Sequence, residues 1–467
     1  MPRNAPANSC VTCRQRKVKC DGLQPVCHNC TKSGRACIGG SYGIKFVMHT
    51  PTPASDSAGL LAETSPVSSK SIIPNTTRSS LLKSFIPLNS DDRFVTSQNS
   101  WSDDIIASSP RTALRSLPIA TAFRHYIDFL APWYDLCDGD GIFGKIVPAR
   151  ALENSVLFKA LVAFSAYHKY RTSGELEGVG VAFHAACVRD LLQVTDHLDA
   201  SFRGDYLAAT CLLRSYEILI GDSRSEQRHL LGAYLFSTDE AINMNERGFA
   251  QCGAWNYLRE EITVALECRR PTRIGFSLEH EPAEHDSETM PANKISYILA
   301  TIINYCFRQT PPGEMPSKNQ LSWQSLRTEL TTWREQLPPV FDPFSTSNKP
   351  GNPFASLWLL QPWHVAAQQY YSVAEILLAT QKPGLGIDRD VILYHALRVC
   401  GLAYTNENVA ARVNAFGPLS FCGRFLTETS HRRGLRSLLV EMSLPTAWPV
   451  QPIIADLEDY WASSSLI

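Results

Sequence analysis

A chain of 467 residues with 44% hydrophobic side chains has material for at least one large core, which excludes a chain disordered throughout. Its formal charge of −1 hides an asymmetry: residues 1–40 carry Arg3, Arg14, Arg16, Lys17, Lys19, Lys32 and Arg35 against Asp21 alone, so a basic head precedes a mildly acidic body. No apolar run reaches the roughly 18 to 20 residues of a bilayer span and the start shows no signal-peptide pattern, so an intracellular chain is expected. In a reducing compartment its fourteen cysteines read as metal ligands and buried thiols, not disulfides.

The head holds Cys10, Cys13, Cys20, Cys27, Cys30 and Cys37 in the pattern C-x2-C-x6-C-x6-C-x2-C-x6-C. Each half has a C-x2-C pair that can grip a metal through a short turn, followed by a third thiolate. Zinc takes four ligands, so two sites need eight bonds, and six thiolates supply them when two of the six bridge both ions. A module this small cannot hold itself together by apolar burial. Structural zinc contributes on the order of 10 kcal/mol or more, so folding of the head is expected to depend on metal. Arg14, Arg16, Lys17 and Lys19 crowd inside the cluster, where Lys or Arg can donate to guanine O6 and N7 in a major groove and gain affinity by counterion release. The same run can serve as a nuclear localisation signal. The plain alternative is a solvated charge run.

The spacing, with the run Cys13-Arg14-Gln15-Arg16-Lys17-Val18-Lys19-Cys20-Asp21, resembles the fungal zinc binuclear cluster family, the Zn2Cys6 transcription factors. The resemblance implies two Zn²⁺ ions bridged by Cys10 and Cys27, with Pro25 shaping the loop between the halves. It also implies a first short helix, roughly residues 11 to 17, whose C-terminal end meets a CGG triplet in the major groove of double-stranded DNA. Lys17 would then contact bases with Arg14, Arg16 and Lys19 around it, Lys32 would meet phosphate, and the protein would act in the nucleus with transcriptional co-regulators.

Residues 1–40 are thus read as the DNA-binding domain and 41–112 as a flexible linker. Ser, Thr and Pro fill 27 of the 61 positions from 50 to 110, too little apolar surface to offset ordering, apart from a local contact of Leu81, Leu82 and Phe85. The linker has no heptad repeat, so a monomer, or a homodimer formed through the body, is expected over a coiled-coil dimer.

From 113 to 467 the periodicity is helical: Leu157/Leu161/Phe164, Ala208/Leu212/Tyr216/Leu219, Trp255/Leu258/Ile262/Ala265 and Ala366/Tyr370/Val373 each form a core stripe. Strand signals are scarce, and Pro-rich stretches at 310–318 and 338–353 separate helix groups. Ile142 to Arg171 and Trp255 to Leu266 resemble landmarks of the helical regulatory domain that follows many such heads. The expected fold is therefore a small Zn2Cys6 head, a Ser/Thr/Pro-rich linker and a large all-α regulatory domain.

The weaker motifs fall to ordinary readings. His28 is a surface histidine, since the thiolates already satisfy the metals. Gly139-Asp140-Gly141-Ile142-Phe143-Gly144 fits a dinucleotide-binding pattern but lacks the strand before it, and is read as a tight loop. His280, Glu281 and His285 have the wrong spacing for a zinc protease and are interrupted by Pro282. The other eight cysteines are read as buried thiols. The expected function is a zinc-dependent, sequence-specific DNA-binding regulator of RNA polymerase II genes, not an enzyme, with a secondary-metabolite gene cluster as the favoured target. The alternatives are a regulator of a catabolic pathway and a zinc-stapled protein-interaction module.

Overall fold

The structure is a computed structural model that describes residues 13, 18, 20, 27–33, 102–192, 200–221, 248–272, 288–308, 322–383 and 388–464. The chain divides into two units, 1–73 and 74–467. In the second unit two short helices, Asp103–Ala107 and Pro110–Ala113, come first and bury Ile106 and Ala113, so ordered structure begins ahead of residue 113. The rest of the assigned linker, and the Pro-rich 310–318 stretch, lie outside the described residues.

Helices α1 (Leu117–His125), α2 (Ile142–Ala151), α3 (Ser155–Ser173), α4 (Val179–Leu192) and α5 (Ala200–Ile220) form one group, in which α3 packs on α1, α4 and α5. A second group contains α7 (Met290–Cys306), α8 (Trp323–Gln336), α9 (Pro362–Thr380), α10 (Arg389–Thr405) and α11 (Val409–Cys422), with α9 against α7, α10 and α11. Between them runs α6 (Phe249–Cys268), which touches α5, α7 and α11. Helices α12 (Thr429–Thr446) and α13 (Gln451–Ser464) close the chain. No helix among the described residues is long and apolar enough to cross a membrane.

All four expected stripes are buried. Helix ends are set by local chemistry. The Asn154 side chain caps α3 by accepting from the amides of Val156 and Leu157 at 3.0 and 3.1 Å, and Gly174 ends the helix in the left-handed conformation. Asp388 and Asn408 cap α10 and α11 in the same way. Buried Asp205 on α5 accepts from Arg150 Nη2 at 2.8 Å and Asn154 Nδ2 at 3.2 Å, tying α2, α3 and α5 together.

The body is not wholly helical. Residues 345–347 (β1), in the 338–353 segment read as a Pro-rich separator, and 356–358 (β2), just beyond it, form an antiparallel hairpin. It docks on the C-terminal end of α10: the Leu357 amide donates to Thr405 Oγ1 at 2.9 Å and its carbonyl accepts from Asn406 Nδ2 at 2.9 Å. These strands are three residues each, too short to leave an alternating signature.

The Gly139 to Gly144 segment is a tight loop only as far as Gly141, and Ile142 to Gly144 form the first turn of α2. The two Asp135 carboxylate oxygens accept from the amides of Phe143 and Gly144 at 2.8 Å each, and Asp138 accepts from Ile142 at 2.7 Å. The start of α2, where a phosphate would sit, is already occupied by the chain's own carboxylates. A Cβ at Gly144 would lie 2.9 Å from Asp135 Oδ2, which accounts for that glycine.

Helix α6 is buried on nearly every side, including Arg259 and Glu261. Arg259 donates to Asn293 at 2.8 Å and Asn256 at 3.0 Å, and Glu261 accepts from Arg270 at 3.1 Å. Glu260 is half-buried as a residue with Oε2 shut off from solvent. Its Oε1 accepts from Ser215 at 3.4 Å, and Ser215 is 2.5 Å from the Tyr134 hydroxyl. Burial pushes the Glu260 carboxyl up to about 8 against the pull of Arg214. Of the scattered cysteines, Cys137, Cys187, Cys211, Cys252, Cys400 and Cys422 are buried as expected, whereas Cys306 is partly exposed and Cys268 exposed.

Two outcomes follow. Gly417 on α11 lets α6 approach so closely that an added Cβ would lie 2.7 Å from Thr263 Cα, and Gly417→Ala is expected to destabilise the helical domain by about 1–3 kcal/mol in urea unfolding followed by circular dichroism. The second concerns pH. Because Glu260 holds its proton to about 8 when folded and only to about 4.5 when unfolded, its contribution is fully present below 4.5 and is lost as pH rises to 8. Glu260→Gln should reduce the stability difference between pH 5 and pH 8 by on the order of 1 kcal/mol or more, read from urea midpoints at the two pH values.

Candidate metal centre and nucleic-acid interface

In the head the described residues centre on four cysteines. Cys27 sits immediately before the short helix His28–Lys32, with its carbonyl accepting from the amides of Cys30 and Thr31 at 3.0 Å each and from Thr31 Oγ1 at 3.1 Å. That single turn places Cys27 and Cys30 on one side. Both are fully buried, while His28, Asn29, Thr31 and Lys32 are exposed. Cys13 is helical and buried, Cys20 is 3% exposed, and the Val18 amide donates to the Cys13 carbonyl at 3.1 Å.

The sulfurs converge across the duplicated halves. Cys13 Sγ lies 3.6 Å from Cys27 Sγ and 3.9 Å from Cys30 Sγ, and the sulfurs of Cys13, Cys20 and Cys27 all fall within 4.8 Å of one another. A regular ZnS4 tetrahedron with Zn–S bonds of about 2.3 Å has S···S edges of about 3.8 Å, so the spacing suits thiolates gathered around zinc. Cys27, from the second half, joins Cys13 and Cys20 from the first. The two halves therefore do not form two separate sites, as the eight-bond count requires. Among the described residues of the head the four buried thiols form a cluster without apolar side chains, an arrangement that metal accounts for.

Of the residues expected to meet DNA, Lys32 is exposed at the end of the second-half helix. Arg14, Arg16, Lys17 and Lys19 lie outside the described residues, as do Cys10, Cys37 and Pro25. Val18, between Lys17 and Lys19, is 40% exposed, so the chain at that point runs along the surface beside the buried sulfurs. His28 is exposed, as its surface reading requires. His280, Glu281 and His285 lie outside the described residues.

Comparison with known proteins agrees with this geometry. Residues 8–41 match the fungal Zn(2)-Cys(6) binuclear cluster domain, which binds two zinc ions, and residues 121–239 match the fungal specific transcription factor domain. A transcription activator of Alternaria alternata is 21% identical over 212 residues, covering 37% of this chain and 27% of that protein. The sorbicillinoid biosynthetic cluster transcription factor of Hypocrea jecorina is 64% identical over 31 residues, 7% of this chain and 5% of its own. The tropolone cluster transcription factor of Talaromyces stipitatus is 50% identical over 36 residues, 8% of this chain and 6% of its own. The matches thus span about a quarter or less of these relatives. No solved structure matches the chain.

Because thiolate–metal bonds and not apolar burial hold the head, a chelator is expected to unfold it while leaving the helical domain folded. In proteolysis of the zinc-loaded protein, chelation should expose the first 40 residues to cleavage with the far-ultraviolet helical signal unchanged. Coincident loss of both would show that the two units do not fold separately.

Proposed function

We propose that this chain, which carries the two domains of the fungal Zn2Cys6 transcription factors, is a nuclear regulator of transcription by RNA polymerase II whose zinc head reads DNA sequence. The family is one of transcription factors, not enzymes. The observation that carries the reading is the convergence of Cys13, Cys20 and Cys27 from both halves of the duplicated motif, with the basic run of the sequence lying between the first two of these cysteines.

In this reading Cys10, Cys13, Cys20, Cys27, Cys30 and Cys37 hold two Zn²⁺ ions, with Cys10 and Cys27 bridging. The metal supplies rigidity. Lys17 donates to guanine O6 and N7 of a CGG triplet, Arg14, Arg16 and Lys19 sit along the groove, and Lys32 pairs with phosphate. Support for Lys32 is its exposure at the end of its helix, and support for the groove contacts is the density of cations inside the cluster. One relative is named as the transcription factor of a sorbicillinoid biosynthetic cluster and another as that of a tropolone cluster, which favours a secondary-metabolite cluster as the target. With no heptads after the head, pairing of two heads on DNA would rest on the helical domain.

Selection from a random duplex pool with zinc-loaded full-length protein is the direct test. Enrichment of CGG triplets is expected, with loss after chelation. Lys17→Ala should lose about 1–3 kcal/mol and relax preference at the contacted guanines. Lys32→Ala should weaken all sequences alike and lower the salt slope by about one. Absence of enrichment from fully metallated protein would remove the sequence-reading claim and leave an interaction module.

A further inference from the structure

Helix α5 carries Arg214 within the run Cys211-Leu212-Leu213-Arg214-Ser215-Tyr216, and folding leaves it 1% exposed. Its Nε and Nη2 atoms have no hydrogen-bond partner. A guanidinium cannot shed its charge in a protein, so this is a buried cation that the surrounding groups leave incompletely satisfied. Arg214 forms part of the wall of a cavity of about 360 Å³, bounded also by Ile218, Thr263, Ser420, Trp448 and Ile453. A smaller space of about 60 Å³ shares Ile218, Thr263 and Trp448 with it. On the wall of that smaller space, Glu260 Oε2 and Asn414 Nδ2 are likewise without partners.

We propose that this cavity, between α5, α6, α11 and the start of α13, binds a small organic acid with an apolar ring, its anionic group paired with Arg214.

The neighbouring acids do not neutralise that cation. Glu260 retains its proton up to about 8, Asp456 is paired with Arg424 at 2.6 Å, and Glu267 has a partner of its own. A ligand carboxylate against this guanidinium supplies the counter-charge that the wall lacks, and a charge-assisted Arg–carboxylate pair in a shielded site is strong. The apolar part of the wall, Ile218, Trp448 and Ile453, suits a ring and leaves an inorganic anion without contacts. The size lies in the range of roughly 300–1,000 Å³ typical of small-molecule sites. This inference does not depend on the DNA reading of the head.

The test uses full-length zinc-loaded protein titrated calorimetrically with 2-naphthoate, with its neutral amide, and with sulfate. One saturable site is expected, with naphthoate binding about tenfold or more tighter than the amide, and sulfate weaker than naphthoate. Arg214→Gln should abolish the preference for the acid. Ile453→Trp, which fills the cavity and keeps the arginine, should weaken both organic probes, and unchanged helical circular dichroism verifies that each variant is folded. Should Arg214→Gln fail to fold, Ile453→Trp together with the acid-to-amide ratio decides. Equal binding of acid and amide, undiminished binding in Ile453→Trp, sulfate binding as well as naphthoate, or no binding of any probe would each overturn the proposal.

Discussion

Helix α6 is enclosed by α5, α7 and α11, and enclosure obliges every charged group on it to be answered from within the protein. Burying an unpaired charge costs far more than a surface ion pair returns, so Arg259 is met by Asn293 on α7 and Glu261 by Arg270 just beyond the helix's own end, while burial holds Glu260 protonated up to about 8. The contact of Gly417 with Thr263 lets α11 come close enough to complete the enclosure. This element contacts both helical groups.

The head follows a different physics. Among its described residues the buried ones are cysteines, and a cluster of four thiols offers almost no hydrophobic stabilisation. Metal coordination takes that place, and it acts across the two halves: Cys27 lies beside Cys13 and Cys20 instead of being confined to its own C-x2-C half. A shared metal centre makes the halves one rigid body, which a pair of independent clips would not. Rigidity matters for DNA reading, because side chains that must register on base edges lose specificity when their frame flexes.

Where the enclosure of α6 is incomplete, polar groups are left over. Arg214, Glu260 and Asn414 have unpartnered atoms around adjoining cavities. Buried polar atoms without partners are costly, and a fully buried arginine that stands beside empty volume and an apolar wall marks a place where something other than packing is served.

The cysteine spacing by itself determined the need for shared ligands, since coordination number is a local constraint that six thiolates meet in few ways. The helical stripes at Leu157, Leu212, Leu258 and Tyr370 were legible because a helix repeats every 3.6 residues whatever it packs against. Asp135 and Asp138, which fill the start of α2, could not be read as its caps from the glycine pattern, nor could the three-residue strands, whose pairing depends on docking against Thr405 and Asn406. Only the tertiary structure decided that Arg214 and Glu260 lie at cavity walls. A charged residue in an amphipathic pattern is ordinarily assigned to solvent, and depth is set by the helices that close over it, which no local periodicity records.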